Sequence, residues 1–271
     1  MINSVCLCVT FKCDLECRHC FVSAGPNRTD EMTYPQLRLA IDNSYNNVHR
    51  MYFSGGEPTY DFDKLVFGLC YAKNKREIYG FPQNICVQTN GNFAKTKNEA
   101  LDKLKALYEN GVNEIDISSA DMYHSEQMER RTFRMIAKTA REMDVFDKIT
   151  IGGSGNKIVK RFGRAKDLPA DDILLFNKEI KRQCVYTGTD FVVYTNGDVL
   201  SCIYGFKHII GNLYENSLDE ILTNESTVNL LRFQHGIKDN EQTGRHKDFF
   251  DRLHSEDEEI CKLCNEFTAN I

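Results

Sequence analysis

The first 153 residues alternate short β-rich runs with stretches of helical periodicity, and this alternation limits the possible folds more than any single motif. The β-rich runs are SVCLCVT (4–10), RMYFS (50–54), NICVQTN (84–90), NEIDIS (113–118) and KITIGG (148–153). Between them, residues 34–48 carry Leu37, Ala40, Ile41, Tyr45 and Val48 as a helical stripe, and 63–75 and 125–143 also read as helices. Residues 97–109 repeat Leu101, Leu104, Leu107 and Tyr108 on one helical face, with Gly111 as a stop signal. Strands that alternate with helices are joined by crossovers and lie parallel, which predicts an α/β fold of the partial or full (β/α) barrel kind. In such folds the reactive loops follow the C-terminal ends of the strands. The chain's unusual motifs all fall there: a cysteine triplet, then SGGEP, QTNG and SSAD, after successive strands.

The pattern breaks near residue 180. DFVVYTNGDVLSC (190–202) alternates toward an antiparallel hairpin turning at Asn196-Gly197, bracketed by Cys184 and Cys202. HIIGNLYENSLDEIL then enters a helix, and a charged stretch, 238–259, leads into Cys261 and Cys264. Two domains are expected, 1–180 and 181–271, the second a small unit of β-hairpin plus helix organised by four cysteines. A net charge of −5 gives no bulk pull toward nucleic acid. No apolar run approaches the ~18 residues of a membrane span. The N-terminus lacks a signal-peptide pattern, so a cytoplasmic location is expected. In that reducing compartment eleven cysteines favour metal binding over disulfides, and their odd number fits.

The triplet Cys13, Cys17 and Cys20 has the spacing C-x3-C-x2-C. A cuboidal [4Fe-4S] cluster needs an outer ligand on each iron, so three thiolates leave one iron open. An open metal position can bind and activate a substrate, as catalytic zinc sites do. The alternatives are a structural cluster completed by a distant cysteine, or a zinc site.

These residues resemble the radical S-adenosylmethionine (radical SAM) enzymes, over most of the chain. The resemblance implies a partial (β/α) TIM-like barrel. It implies that Cys13, Cys17 and Cys20 hold a [4Fe-4S] cluster whose open iron is chelated by the methionine end of SAM. SGGEP is similar to the family's glycine-glycine-glutamate motif. Gly55 and Gly56 then allow close backbone approach, and Glu57 helps hold the methionine ammonium. The position before the third cysteine is usually aromatic in the family; here it is His19. Asn90 is a candidate SAM or substrate contact, or a plain turn residue. Ser118 and Asp121 match positions that bind SAM ribose and carboxylate in relatives. Arg164 is a candidate partner of the SAM carboxylate, or a solvated arginine. His124 is a candidate proton acceptor, or a helix N-terminal residue bonded to solvent.

Cys184, Cys202, Cys261 and Cys264 resemble the twitch extension, a short form of the SPASM domain. The resemblance implies a second [4Fe-4S] cluster with no open iron, suited to electron transfer; the competing reading is a four-cysteine zinc ribbon. Cys6 and Cys8 lie two apart on the first strand and so face the same way. If that face lines the lumen they are candidate hydrogen-atom donors, as is Cys86; small core residues are the alternative. Cys70, in a helix, reads as packing.

The implied reaction is cleavage of SAM to a 5'-deoxyadenosyl radical that takes a hydrogen atom from a substrate C–H bond. An electron-donating partner such as a reductase, flavodoxin or ferredoxin is implied with it. The auxiliary cluster favours oxidation of the substrate over epimerisation. The first strand begins within a few residues of the N-terminus, so no built-in leader-binding domain is expected. A small polar metabolite such as a sugar or aminocyclitol is therefore the expected substrate. Modification of a ribosomal peptide by cross-linking or epimerisation, and epimerisation of a small molecule, are alternatives. In another class stands a non-catalytic Fe–S or zinc-binding protein, against which the glycine-glycine-glutamate turn argues.

Overall fold

A computed structural model describes residues 1–117, 130–151, 162–168, 184, 188–203, 208–255 and 259–269. Five strands, β1 (Ile2–Thr10), β2 (Val48–Gly55), β3 (Asn84–Thr89), β4 (Glu114–Ile117) and β5 (Ile149–Ile151), pair in parallel. Among the described residues, the helices between them are α1 (Tyr34–Asp42), α2 (Phe62–Tyr79), α3 (Lys97–Glu109) and α4 (Arg130–Glu142). The expected α/β architecture is therefore present, as a partial barrel of the TIM type.

Local sequence explains the helix limits. Thr33 and Gln36 form a capping box at the start of α1, and Thr96 and Glu99 do the same for α3. The helical stripe read over 34–48 ends early. The Asn43 backbone N–H turns back to the Leu39 and Ile41 carbonyls, so the helix stops at Asp42 and Val48 opens β2. The α2 helix ends at Gly80 in the left-handed region, φ 77°.

Strand alternation sorts the barrel into two faces. Val5, Leu7 and Val9, with Met51, Phe53, Ile85, Val87, Ile115 and Ile117, point to the helices and are buried. They pack against Leu37, Ile41, Leu65, Leu69, Leu104, Leu107 and Ile136. Each such side chain contributes about 1.5–3 kcal/mol of burial. The residues in between face the opposite way, into the lumen.

The second part of the chain is larger than a hairpin plus helix. β6 (Asp190–Val193), β7 (Asp198–Leu200) and β8 (Ile209–Asn212) form an antiparallel meander. Four helices follow: α5 (Leu218–Thr223), α6 (Glu225–Lys238), α7 (Gly244–Ser255) and α8 (Ile260–Thr268). The meander does not stand apart. β6 pairs in parallel with β1, giving one eight-stranded sheet in the order β5-β4-β3-β2-β1-β6-β7-β8. Asp190 fixes the join by accepting from Ser4 Oγ at 2.5 Å and Asn3 Nδ2 at 2.7 Å.

Candidate active site

The cysteine loop leaves β1 and is folded back by its own backbone. Cys13 N donates to Gly25 O (3.1 Å), and Gly25 N donates to Phe11 O (3.3 Å). Cys13 and Cys17 are buried and Cys20 is half-buried. Leu15 N donates to Cys13 Sγ at 3.4 Å, and Ala24 N donates to Cys20 Sγ at 3.3 Å. Such N–H groups stabilise thiolate ligands. Burial nevertheless pushes the Cys13 thiol up to about 12, with Glu57, Asp14 and Cys17 adding to the rise. A cationic centre at this loop would reverse that balance, so these residues fit a metal cluster.

The β2 turn is pressed onto this loop. Gly56 N donates to Thr10 O at 2.6 Å and Glu57 N to Lys12 O at 2.9 Å. A Cβ on Gly55 would lie 2.1 Å from Thr10 O, and one on Gly56 would lie 2.4 Å from Lys12 O. Only glycine permits this approach. Glu57 is 2% exposed. Its Oε1 accepts from Thr59 N (2.9 Å), Thr59 Oγ1 (2.5 Å) and Thr89 Oγ1 (2.8 Å), and its Oε2 accepts from Asn90 N (2.7 Å). Burial raises its carboxyl above the usual range despite these four donors. The carboxylate thus ties the β2 turn to the β3 turn, and Oε2 keeps one acceptor site for an ammonium. Asn90 Nδ2 reaches Asp14 Oδ1 (2.8 Å) and Cys13 Sγ (3.8 Å), which puts the β3 turn against the cysteine loop as well.

Arg164 sits on the same loop. Its Nε donates to Cys17 O (3.0 Å), its Nη2 to Ala24 O (2.6 Å), and its backbone N to Cys20 O (3.0 Å). It braces the cysteine loop, a role not foreseen from the sequence. His19 is half-buried beside the loop's last cysteine. Ser118, Asp121 and His124 lie outside the described residues.

The lumen face is polar. Register across the sheet aligns Val192, Cys6, Tyr52, Cys86 and Glu114 in one layer. The layer nearer the loops holds Cys8 paired with Ser54, and Gln88 paired with Asp116 and, beyond it, Thr150. Ser54 Oγ donates to Gln88 Oε1 at 2.9 Å, joining the two pairs. Cys6 and Cys8 therefore share the lumen face. The neighbouring Cys6 and burial raise the Cys8 thiol well above its ordinary value. Burial, then Glu114, pushes Cys86 up to about 12. Tyr194, just beyond β6, packs edge-on to Phe11 with ring centroids 5.2 Å apart. It lies near Cys8, Cys6 and Cys20, and burial raises its hydroxyl. Sequence reasoning missed Tyr52, Gln88, Glu114 and Asp116. Their period-two placement opposite the core residues was the available signal.

The four C-terminal cysteines come from distant points in the sequence yet gather. Burial raises the Cys264 thiol well above its ordinary value, and Cys184, Cys202 and Cys261 raise it further. Around them Phe162, Phe233, Phe249, Phe267 and Leu263 form an apolar wall. Among the described residues no three His, Cys, Asp or Glu side chains converge on a point that would hold a single metal ion.

Comparison with known families settles the class. The model of the radical SAM superfamily matches residues 7–151, more than half of the chain. The chain belongs to the radical SAM superfamily. A second model, the SPASM iron-sulfur cluster-binding domain, matches residues 184–265. No curated protein matches the chain significantly. Among solved structures, BtrN in complex with AdoMet and 2-DOIA is 19% identical at a TM-score of 0.63, over 97% of this chain and 92% of BtrN. His-tagged anSMEcpe with bound AdoMet is 17% identical at a TM-score of 0.52, over 84% and 79% of the two chains. These neighbours share the fold. As a radical SAM enzyme the chain is an Fe–S and AdoMet protein. Among the described residues no helix is long and apolar enough to cross a membrane.

Proposed function

We propose that this radical SAM enzyme oxidises a small polar metabolite, such as a sugar or aminocyclitol, at an unactivated C–H bond. The observation that carries this reading is the polar lumen. Tyr52, Ser54, Gln88, Glu114 and Asp116 face it from adjacent strands, a lining suited to a hydroxylated or amine-bearing ligand. The complex of the fold neighbour BtrN with AdoMet and 2-DOIA supports the same direction.

Cys13, Cys17 and Cys20 would hold the catalytic [4Fe-4S] cluster. With SAM bound, that cluster would supply the reductive cleavage of SAM to a radical able to take a hydrogen atom from the substrate. Gly55 and Gly56 let the β2 turn close on the cysteine loop. Glu57 and Asn90 orient the SAM side of the pocket, Arg164 braces the loop, and Ser118 and Asp121 are the proposed SAM ribose and carboxylate contacts. Cys184, Cys202, Cys261 and Cys264 would hold the second cluster, with residues 1–180 as the catalytic domain and 181–271 as the auxiliary one. That cluster would accept the electron of the substrate radical. A reductase, flavodoxin or ferredoxin would supply the priming electron.

A second reading, epimerisation, rests on the Cys8 S–H that faces the lumen. In that reading Cys8, Cys6 or Cys86 returns a hydrogen atom to the substrate. The two readings separate in ordinary water when the substrate is perdeuterated. The test incubates reduced holoenzyme and SAM with perdeuterated aminocyclitols and sugars. Oxidation moves substrate deuterium into 5'-deoxyadenosine and leaves an oxidised product with no solvent-derived hydrogen at the reacting carbon. Solvent hydrogen there, lost in a Cys6→Ala or Cys8→Ala variant, identifies an epimerase. Label transfer from a peptide and from no small molecule rejects the metabolite class.

A further inference from the structure

Asn90, the residue after β3, commits more of its side chain than a turn requires. It is 5% exposed. Its backbone N–H is held by Glu57 Oε2 at 2.7 Å. A plain Asx turn uses the carboxamide oxygen alone, and here Oδ1 does accept the Asn92 backbone N–H at 2.7 Å. The nitrogen end goes further and leaves the turn. Nδ2 lies 2.8 Å from Asp14 Oδ1 and 3.8 Å from Cys13 Sγ, both on the cysteine loop.

The direction of these bonds is fixed from both ends. A backbone N–H can only donate, so the atom that faces Asn92 N is the oxygen. An ionised carboxylate can only accept, so the atom that faces Asp14 is the nitrogen. Turning the carboxamide over would set N–H against N–H and a carbonyl oxygen against a carboxylate. The nitrogen has two N–H bonds for its two acceptors. Asp14 is held from its other side as well, where Asn92 Nδ2 donates to Oδ2 and Lys95 Nζ donates to Asn92 Oδ1. Asp14 Oδ1 stands 3.9 Å from Cys13 Sγ. With Cys13 a thiolate, two anions lie side by side, and the Asn90 nitrogen is a donor to both.

We propose that Asn90, oriented by Asp14 and the Asn92 backbone, donates an N–H to the Cys13 thiolate and thereby raises the reduction potential of the catalytic cluster. The inference rests on the reading that Cys13, Cys17 and Cys20 hold that cluster. A donor on a ligand sulfur draws electron density from the cluster and stabilises its reduced form. Burial makes the bond count for more than it would in water. The Leu15 N–H reaches the same sulfur at 3.4 Å, but that bond belongs to the backbone. The Asn90 bond belongs to a side chain, so substitution removes it. Asn90 is the group that touches the ligand, and Asp14 is a positioning residue that acts through it. The consequence is a cluster more readily reduced by its electron donor.

The test is a potentiometric titration followed by electron paramagnetic resonance, on anaerobically reconstituted holoenzyme without SAM. The catalytic cluster's signal is the one that the C13A, C17A and C20A variant lacks. Asn90→Leu keeps most of the volume and removes the donor. Its potential is expected to fall, by the ~59 mV that a tenfold shift in a one-electron equilibrium represents. Asn92→Ala is the control: it loosens Asp14 but leaves the Asn92 backbone N–H on Asn90 Oδ1, so its potential should stay at the parent's value. An unchanged potential in Asn90→Leu with its iron intact overturns the proposal. So does an equal fall in Asn92→Ala, which would trace the effect to Asp14 and not to the sulfur bond. A parent with no signal beyond that of the triple variant rejects the cluster reading instead. Should Asn90→Leu fail to hold iron, the parent labelled with 15N in its asparagine side chains decides. A 15N coupling in the signal that the triple variant lacks supports the bond, and its absence contradicts it.

Discussion

Gly56→Ala tests whether the β2 turn positions the cysteine loop by direct backbone contact. The new Cβ would stand 2.4 Å from Lys12 O and 2.8 Å from both the carbonyl carbon and oxygen of Phe11. Relief to ordinary contact requires a displacement of about 1 Å. Backbone on both sides leaves no flexible side chain to absorb it. The shift disrupts the Gly56 N–Thr10 O and Glu57 N–Lys12 O hydrogen bonds, 2.6 and 2.9 Å long. Overpacking costs about 1–3 kcal/mol and each hydrogen bond about 0.5–1.5 kcal/mol, so a loss of about 2–6 kcal/mol is expected. Gly80→Ala is the control. Gly80 has φ 77° and nothing within 4 Å of its would-be Cβ, so only backbone strain of about 1 kcal/mol applies. Urea unfolding and iron counting, both anaerobic, read the outcome. Gly56→Ala should lose iron at the catalytic site and keep about four irons at the auxiliary one, whereas Gly80→Ala should keep both. Equal stability of the two variants, with full iron in each, refutes the contact argument.

Changing Cys261 and Cys264 to alanine together should remove about four irons, spare SAM cleavage and lower product formation; anaerobic iron counting and product analysis check this, and zinc at the site contradicts the electron-transfer role. Thiol labelling at pH 8 should modify the exposed Cys70 and leave Cys86 intact in folded protein, because burial holds Cys86 near pKa 12; mass spectrometry of peptides reads both sites. Cys6→Ala, Cys8→Ala and Cys86→Ala should each retain substantial activity if the reaction is an oxidation, and loss of turnover in one of them with SAM cleavage preserved points to a hydrogen donor instead.

The parallel part of the fold was legible because each strand was a short β-rich run and each helix carried its own stripe or cap. The α3 limits, 97–109, agree with the sequence reading because Thr96 and Glu99 mark the start locally. β8 was not legible. Its residues, Ile209 to Asn212, are not buried as a face, and only pairing with β7 makes them a strand. The join of β6 to β1 was equally hidden, since nothing near residue 190 names its partner strand. At the candidate site the cysteines and the Gly55-Gly56-Glu57 turn stood out by spacing. Arg164 did not, because its acceptors are carbonyls of residues 17 and 24, far off in sequence.

The central claim is that Cys13, Cys17 and Cys20 carry a SAM-cleaving cluster. Chromatographic detection of 5'-deoxyadenosine after anaerobic reduction with dithionite in the presence of SAM tests it most directly. The parent protein should form 5'-deoxyadenosine and methionine. The C13A, C17A and C20A triple variant should form none while keeping about four irons at the auxiliary site. Cleavage of SAM by the triple variant at the parent's rate contradicts the account.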